Sequence, residues 1–232
     1  AAPIHDLFYA EGYLWAGAET GLWRISPAIG EVRRISTTEV LDPLDGAAIT
    51  AIWGDGLGSL WLGLGLNLVE LDLGTGRVKS LSPFVGGSSK SWITSIQGIP
   101  NDSLWVGTNG AGAVQYLFSD RRQVSVRNLN VAADGGLESD DIRAIALDQD
   151  YSIWFASPIG VYRYPTWAWH DIDFGRGAPI VDLAFDVHGH LWAATEDAGN
   201  QVYHGAYEPP EVLHPPTTLE GTTRINDLAL DR

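Results

Sequence analysis

Hydrophobic positions recur along the chain at a regular long spacing. The first recurring position is a Trp that follows an aliphatic residue, and its copies are 46, 44, 49 and 38 residues apart: Trp15, Trp61, Trp105, Trp154 and Trp192. The second is an aliphatic pair that precedes each Trp: Ile4/Leu7, Ile49/Ile52, Ile93/Ile96, Ile142/Ile145 and Ile180/Leu183. A sixth pair, Ile225/Leu228, has no Trp after it. Two independent positions that keep one period indicate a repeated structural unit.

Within each repeat, short runs of hydrophobic residues are separated by Asp, Gly and Ser. In the fourth repeat the first run covers residues 142–147 and the third covers 160–164. The second run carries the Trp, as in residues 104–107 of the third repeat, and a fourth run is clearest at 76–81 in the second repeat. Period-two alternation between turn residues predicts four short β-strands per repeat, with no helical period of useful length.

Four antiparallel strands that recur about every 45 residues are typical of β-propeller blades, so we predict an all-β propeller. The expected division is five blades at residues 4–48, 49–92, 93–141, 142–179 and 180–224, with 225–232 as the first strand of a next or closing blade. Two arrangements stay open. Either the chain is part of a larger propeller, or its last strand completes a ring by pairing with the first blade. In both, the repeated Trp is expected to pack between blades.

The composition narrows the possible partners. With 14 Lys and Arg against 29 Asp and Glu, the formal net charge of the 232-residue chain is −15. This argues against nucleic acid, whose binding needs a cationic surface, and against anionic lipid. No run of apolar residues is long enough to span a bilayer, and residues 1–7 do not resemble a secretory signal. The absence of Cys excludes thiol chemistry.

The combined pattern resembles the two-component-regulator propeller repeat. That repeat reads Ile-x-x-Ile-x-x-Asp, then Leu-Trp-x-Gly-Thr, then Gly-Leu-x-Arg-Tyr, and residues 142–164, 104–109 and 14–25 match it best. The resemblance covers essentially the whole chain, and residues 65–68 and 197–201 depart from it. It implies a periplasmic or extracytoplasmic sensor that precedes a membrane helix and a histidine kinase or diguanylate cyclase. Several members are thought to respond to oligosaccharides, and about seven blades generally close the ring.

Catalytic and metal-binding patterns are weak in this sequence. His188 and His190 lie beside Asp186 in a tight turn, and Asp148 and Asp150 occupy the equivalent turn, where we expect side chains to face solvent rather than a metal. The chain has no Gly-x-Ser-x-Gly nucleophile motif and no glycine-rich phosphate loop followed by a helix. We therefore predict no catalytic residue, no metal and no cofactor, and we do not expect this segment to be an enzyme.

Binding residues are expected on one face of the propeller. The loops before the first strands and after the second strands meet there, around the axis. Trp92 is of special interest because it lies outside the repeated Trp position, and an aromatic ring among amide, carboxylate and guanidinium groups suits a sugar-like ligand. The predicted ligand-binding residues are Trp92, Asn109, Asp141, Arg143, Glu196, Asp197, Arg224 and Asn226.

Three functions remain open from the sequence. The first is a non-catalytic extracytoplasmic sensor that binds a small molecule or oligosaccharide and signals through attached domains. The second is a platform for protein interaction, since an acidic surface could meet a basic one. The third is a polysaccharide lyase or hydrolase built on the same scaffold.

Overall fold

The structure is a computed structural model. It describes residues 3–36, 44–81, 91–120, 122–130, 137–164, 170–172, 179–195, 201–206 and 214–218. Its twenty strands are β1 Ile4–Ala10, β2 Tyr13–Ala18, β3 Gly21–Ile25, β4 Val32–Arg34, β5 Ala51–Gly54, β6 Ser59–Leu64, β7 Asn67–Asp72, β8 Val78–Ser80, β9 Ile93–Ile99, β10 Ser103–Thr108, β11 Ala113–Ser119, β12 Arg122–Leu129, β13 Ala144–Leu147, β14 Ile153–Ser157, β15 Gly160–Tyr164, β16 His170–Ile172, β17 Ile180–Phe185, β18 His190–Thr195, β19 Gln201–Ala206 and β20 His214–Thr218.

The strands form five four-stranded antiparallel sheets, each a simple meander in chain order. We call these sheets blades 1 to 5. Each blade uses one sequence repeat, so the predicted all-β propeller is confirmed in these residues. In blades 2, 4 and 5 a tight turn joins the first and second strands, and an Asp at the start of the turn is followed three residues later by a residue of positive φ. Gly58, with φ of 97°, and Gly189, with φ of 80°, take that place in blades 2 and 5.

Successive blades pack face to face through their first strands. β1 contacts β5, β5 contacts β9, β9 contacts β13 and β13 contacts β17. The second strand of one blade also lies against the first strand of the next, as β14 does against β17. Gly63 shows how close this approach is, since a Cβ at that position would lie 2.8 Å from the Cβ of Ile93. The glycine of the Trp-bearing strand therefore leaves room for the neighbouring blade.

The repeated Trp is a packing residue between blades, as the sequence predicts. Trp15, Trp61, Trp105 and Trp154 are all buried. Trp105 of blade 3 meets Phe155 of blade 4 with ring centroids 5.6 Å apart, in an edge-on arrangement that aromatic pairs favour. In blades 2 to 5 the first-strand aliphatic residues are buried in the same layers, each stabilising the fold by about 1.5–3 kcal/mol. The core is thus a series of apolar layers between blades.

Some sequence predictions lie outside the described residues. These include the predicted additional first strand at 225–232. Among the residues that the structure does describe, no helix is long and apolar enough to cross a membrane.

Candidate functional site

One end of the propeller axis opens into a cavity of about 780 Å³ to which all five blades contribute. The residue that follows the first aliphatic anchor of each repeat lines it: His5, Thr50, Thr94, Arg143 and Val181. Loops that precede first strands or follow second strands complete the wall, with Glu19, Ala48, Gly65, Trp92, Asn109 and Asp141. The cavity therefore lies on the face where the sequence predicts ligand binding, and its size is in the range of small-molecule sites.

We call the five residues that follow the first aliphatic anchors the inner ring. Two of them connect neighbouring blades. The hydroxyl of Thr50 donates a hydrogen bond to the carbonyl of Ile93, with oxygen atoms 2.6 Å apart. The hydroxyl of Thr94 donates in the same way to the carbonyl of Ile142. A Thr at this position of the repeat thus has a structural role as well as facing the cavity.

The other polar members of the ring are ionisable. His5 and Arg143 occupy the equivalent positions in blades 1 and 4. The Nε2 atom of His5 lies 2.8 Å from Oε2 of Glu19, and the Nε atom of Arg143 lies 3.7 Å from Oδ2 of Asp141. All four residues line the cavity. Its wall therefore holds two acid–base pairs, one from blade 1 and one from blade 4.

Trp92 is held at the cavity rim by an interaction with the following hairpin. Its backbone amide donates to Oδ1 of Asn109 at 2.6 Å, and the amide of Asn109 donates to the Trp92 carbonyl at 3.2 Å. Asn109 in turn forms an isolated antiparallel bridge with Asp141. The residue as a whole is 45% exposed. A fixed backbone with an exposed ring is a suitable arrangement for stacking against a ligand.

The structure brings four of the predicted ligand-binding residues together in this cavity: Trp92, Asn109, Asp141 and Arg143. The other four, Glu196, Asp197, Arg224 and Asn226, lie outside the described residues. His5, Thr50, Thr94 and Val181 were not predicted. Their common position after the first anchor of the repeat is the signal that could have identified them.

The turns at the opposite ends of the first strands have a different role. The prediction that their side chains face solvent is wrong for Asp148 and Asp186. Oδ2 of Asp148 accepts a hydrogen bond from the indole Nε1 of Trp154 at 2.8 Å, and Oδ2 of Asp186 accepts one from Trp192 at 3.1 Å. These carboxylates turn inward because they satisfy the polar atom of a packed indole.

The Asp186 carboxylate is also an acceptor for its own turn. Partial desolvation tends to raise the pKa of Asp186, but hydrogen bonds from the His190 amide, the Trp192 indole and the His188 amide together hold it well below the usual range. The side chain of His190 lies on the same carboxylate, with Nδ1 3.1 Å from Oδ2. Across the described part of the chain, no group of three or more His, Cys, Asp or Glu residues is placed to hold a metal ion.

The side chains that line the cavity are suited to bind a polar, hydroxyl-rich ligand. Carboxylates and the Asn109 amide oxygen accept hydrogen bonds, Arg143 donates them, and Trp92 provides an apolar face. The arrangement combines these groups in one concave site, which is the usual form of small-molecule recognition.

Comparisons with known proteins identify the fold of this chain but not its activity. No model of a protein family matches the sequence. No curated protein matches it either. Solved structures do resemble it. Virginiamycin B lyase from Staphylococcus aureus has a TM-score of 0.71 at 12% identity over 96% of this chain and 72% of that one.

Two further similar structures are bacterial surface or extracellular proteins. PorZ, a surface component of the type-IX secretion system of Porphyromonas gingivalis, has a TM-score of 0.69 at 20% identity over 99% of this chain and 36% of its own. The extracellular domain of a two-component-like system, BT3049 from B. thetaiotaomicron, has a TM-score of 0.63 at 22% identity over 84% of this chain and 26% of its own. At these identities the resemblance shows that the chain has a β-propeller fold.

Proposed function

We propose that this chain is an extracytoplasmic ligand-sensing propeller whose axial cavity binds an oligosaccharide. The observation that carries the proposal is the convergence of Trp92, Asn109, Asp141 and Arg143 on one cavity. Each comes from a loop or strand start of a repeated unit, and the four meet only when the blades are arranged around the axis. An exposed indole beside hydrogen-bonding groups of both kinds suits the apolar face and the hydroxyls of a sugar ring.

Isothermal titration calorimetry against a panel of neutral and acidic oligosaccharides tests this proposal. We expect at least one member to bind the wild-type chain, and Trp92→Ala to weaken that binding about tenfold or more, because a ring stacked on the ligand contributes about 1 kcal/mol or more to the affinity. The matched control is Tyr151→Ala. Tyr151 is an exposed aromatic residue in the turn at the far end of a first strand, and its removal should leave the affinity unchanged.

Two results would contradict the proposal. If no oligosaccharide of the panel binds, oligosaccharides are excluded as the ligand class. If wild type and Trp92→Ala bind equally well, the cavity is excluded as the binding site.

The signalling role rests on the sequence resemblance and is supported by the likeness to an extracellular domain of a two-component-like system. In this role, ligand binding in the cavity would alter the packing between blades and so act on attached domains. The gene region that follows the codon for Arg232 provides the test. A membrane helix and a kinase or cyclase encoded there would support the role, and a stop codon would contradict it.

A second candidate function is catalysis in the same cavity. It is favoured by the His5–Glu19 pair, in which a carboxylate 2.8 Å from the imidazole could orient it as a general base. If the chain is a lyase or hydrolase, incubation with the bound oligosaccharide will release shorter products, and His5→Ala will abolish this release while binding persists. Recovery of the intact oligosaccharide after prolonged incubation with wild type would exclude this candidate.

A further inference from the structure

A second concave site lies between blades 1 and 2, among the turns at the end of the propeller opposite the axial cavity. It is a groove of about 640 Å³, and its lining shares no residue with that cavity. Blade 1 contributes Glu11, Tyr13, Trp15 and Arg24, and blade 2 contributes the glycines and leucines at 56–58 and 73–74. These described residues of blade 2 bring no carboxylate to Arg24.

Arg24 occupies the position of the third strand that lies directly opposite the repeated Trp. In blade 1 the opposed residues are Trp15 and Arg24, and in blade 4 they are Trp154 and Arg163. Both guanidinium groups lie over an aromatic ring of their own blade. The central carbon of Arg24 is 4.3 Å from the centroid of Tyr13, and that of Arg163 is 5.4 Å from the centroid of Trp154. Such a stack holds the guanidinium group in place and leaves the N–H donors at its edge for an anion.

Arg163 has an acidic partner within its own blade, whereas Arg24 does not. Nη2 of Arg163 lies 3.5 Å from Oδ2 of Asp148, at the start of the turn before β14, and donates to Oγ of Ser152 at 2.8 Å. Blade 1 has no equivalent Asp, because only residues 11 and 12 join β1 to β2. Within the described part of the chain, no acidic side chain forms an ion pair with Arg24.

A second arginine adds to the positive charge beside the groove. Arg33 of β4 lies directly opposite Arg24 of β3, so both side chains are on the same face of blade 1. Like charges in this arrangement destabilise a sheet, and the equivalent residues of blade 2, Glu70 and Lys79, carry opposite charges. Arg33 is exposed and also forms no ion pair among the residues that the structure describes. Blade 1 thus keeps two adjacent cations on a chain whose net charge is −15.

We propose that this groove binds a phosphate group through Arg24 and Arg33. Two guanidinium groups match the nearly double negative charge of phosphate at neutral pH, and their planar sets of donors fit its oxygen atoms. A bound phosphate would offset the repulsion between the two arginines. The groove is larger than a phosphate ion, so it also has room for the organic part of a phosphate monoester.

Isothermal titration calorimetry with inorganic phosphate tests the site, with glucose 1-phosphate as a monoester and acetate as a singly charged anion. We expect phosphate to bind the wild-type chain at one site, and acetate to bind at least about tenfold more weakly because it carries less charge. Tighter binding of glucose 1-phosphate than of phosphate would identify a monoester as the ligand, and equal or weaker binding would identify free phosphate. Absence of phosphate binding, or equal affinity for acetate, would overturn the proposal.

Substitutions in blade 1 locate the bound phosphate. Arg33→Gln should weaken binding about tenfold or more because it removes a charged donor, and Arg24→Lys should weaken it because Lys lacks the planar set of donors. Glu11→Gln should strengthen binding, since it removes the carboxylate from the groove lining. The matched control is Arg122→Gln, at an exposed arginine of blade 3, which should leave the affinity unchanged. Wild-type affinity in both Arg24→Lys and Arg33→Gln, or an equal loss in Arg122→Gln, would overturn the proposal.

Urea unfolding tests the repulsion between the two arginines independently of calorimetry. Without phosphate, Arg33→Glu should raise the midpoint urea concentration, because it places opposite charges across the strands as in blade 2. Added phosphate should raise the midpoint of wild type and have less effect on Arg33→Glu. A midpoint that Arg33→Glu leaves unchanged in the absence of phosphate would show that the arginines do not repel each other, and would overturn the proposal.

Discussion

At the scale of single residues, the repeated Trp depends on a polar partner as well as on packing. Asp148 and Asp186 each lie six residues before a Trp and accept a hydrogen bond from its indole. The same carboxylates accept backbone amides of their own turn, such as Ser152 to Asp148 at 2.7 Å. One side chain thus fixes both the turn and the orientation of the ring that packs against the next blade.

The low pKa of Asp186 gives this role a pH dependence. Because the folded state favours the ionised carboxylate, its stabilising effect is present at pH 7 and is lost progressively from about pH 5 downward, as the pH falls through the ordinary Asp pKa toward the lowered pKa of the folded state. Asp186→Asn should therefore lower the free energy of unfolding at pH 7 by about 1–2 kcal/mol and reduce its slope in acid. Urea unfolding at several pH values measures both quantities.

The control for this variant is Asp150→Asn, an exposed Asp in the equivalent turn of blade 4. It should leave the acid slope unchanged. If Asp186→Asn shows the same acid slope as wild type, the hydrogen-bonded carboxylate is not the source of the pH dependence.

Tyr151 departs from the turn pattern of the other blades in a way that should affect the free energy of unfolding. Its φ is 61°, at the turn position where Gly58 and Gly189 stand in blades 2 and 5. A side chain at positive φ destabilises the folded state by about 1–2 kcal/mol. Gly avoids this cost, but part of the gain is offset because Gly also increases the conformational entropy of the unfolded chain. Tyr151→Gly should raise the free energy of unfolding by up to about 1 kcal/mol, measured by urea denaturation. Gly189→Ala should lower it, and a destabilised Tyr151→Gly would contradict this account.

The residues that line the cavity could be predicted only in part from the sequence. Trp92, Asn109, Asp141 and Arg143 stand out because they are polar or aromatic in loops of known position in the repeat. His5 was not predicted because its partner, Glu19, is fourteen residues away and the pair forms only when β1 and β2 fold together. Sequence position identifies a face of the propeller, whereas side-chain pairing on that face depends on the folded geometry.

At the scale of elements, the strands and their order follow directly from the repeat. Alternating residues bounded by Asp and Gly predict β13–β16 and the equivalent strands of each blade, and the sheets form as simple meanders. The register shift in β1 between Ile4 and Asp6 could not be predicted from the alternation. It makes two anchors three positions apart face the same layer, which strict period-two alternation would not allow.

The hydroxyl of Thr50 provides a test of blade-to-blade connection at this scale. It donates to the carbonyl of Ile93 in the next blade at 2.6 Å. Thr50→Val keeps the shape and removes the donor, so it should lower the free energy of unfolding by about 1 kcal/mol. Thermal or urea denaturation measures the change. Thr20→Val, at an exposed turn position, is the control, and an equal effect of both variants would show that the connection contributes nothing specific.

At the scale of the whole molecule, ring arrangement creates a site that no single blade contains. The residues of the inner ring are 45, 44, 49 and 38 positions apart along the chain, at 5, 50, 94, 143 and 181, and yet all line one cavity. The repeat therefore provides a scaffold, and substitutions at one repeated position provide the chemistry. Thr50 and Thr94 keep a connecting role there, whereas His5 and Arg143 bring ionisable side chains, each paired with a carboxylate.

Hydrogen–deuterium exchange with a saturating oligosaccharide tests most directly that this end of the axis is the binding site. Ligand in the cavity should slow amide exchange in segments 92–95, 108–110 and 141–144, and should leave the turns at 148–152 and 186–190 unchanged. Protection confined to those turns, or protection spread equally over both ends, would contradict the central claim that the axial cavity lined by Trp92 and Arg143 is where the ligand binds.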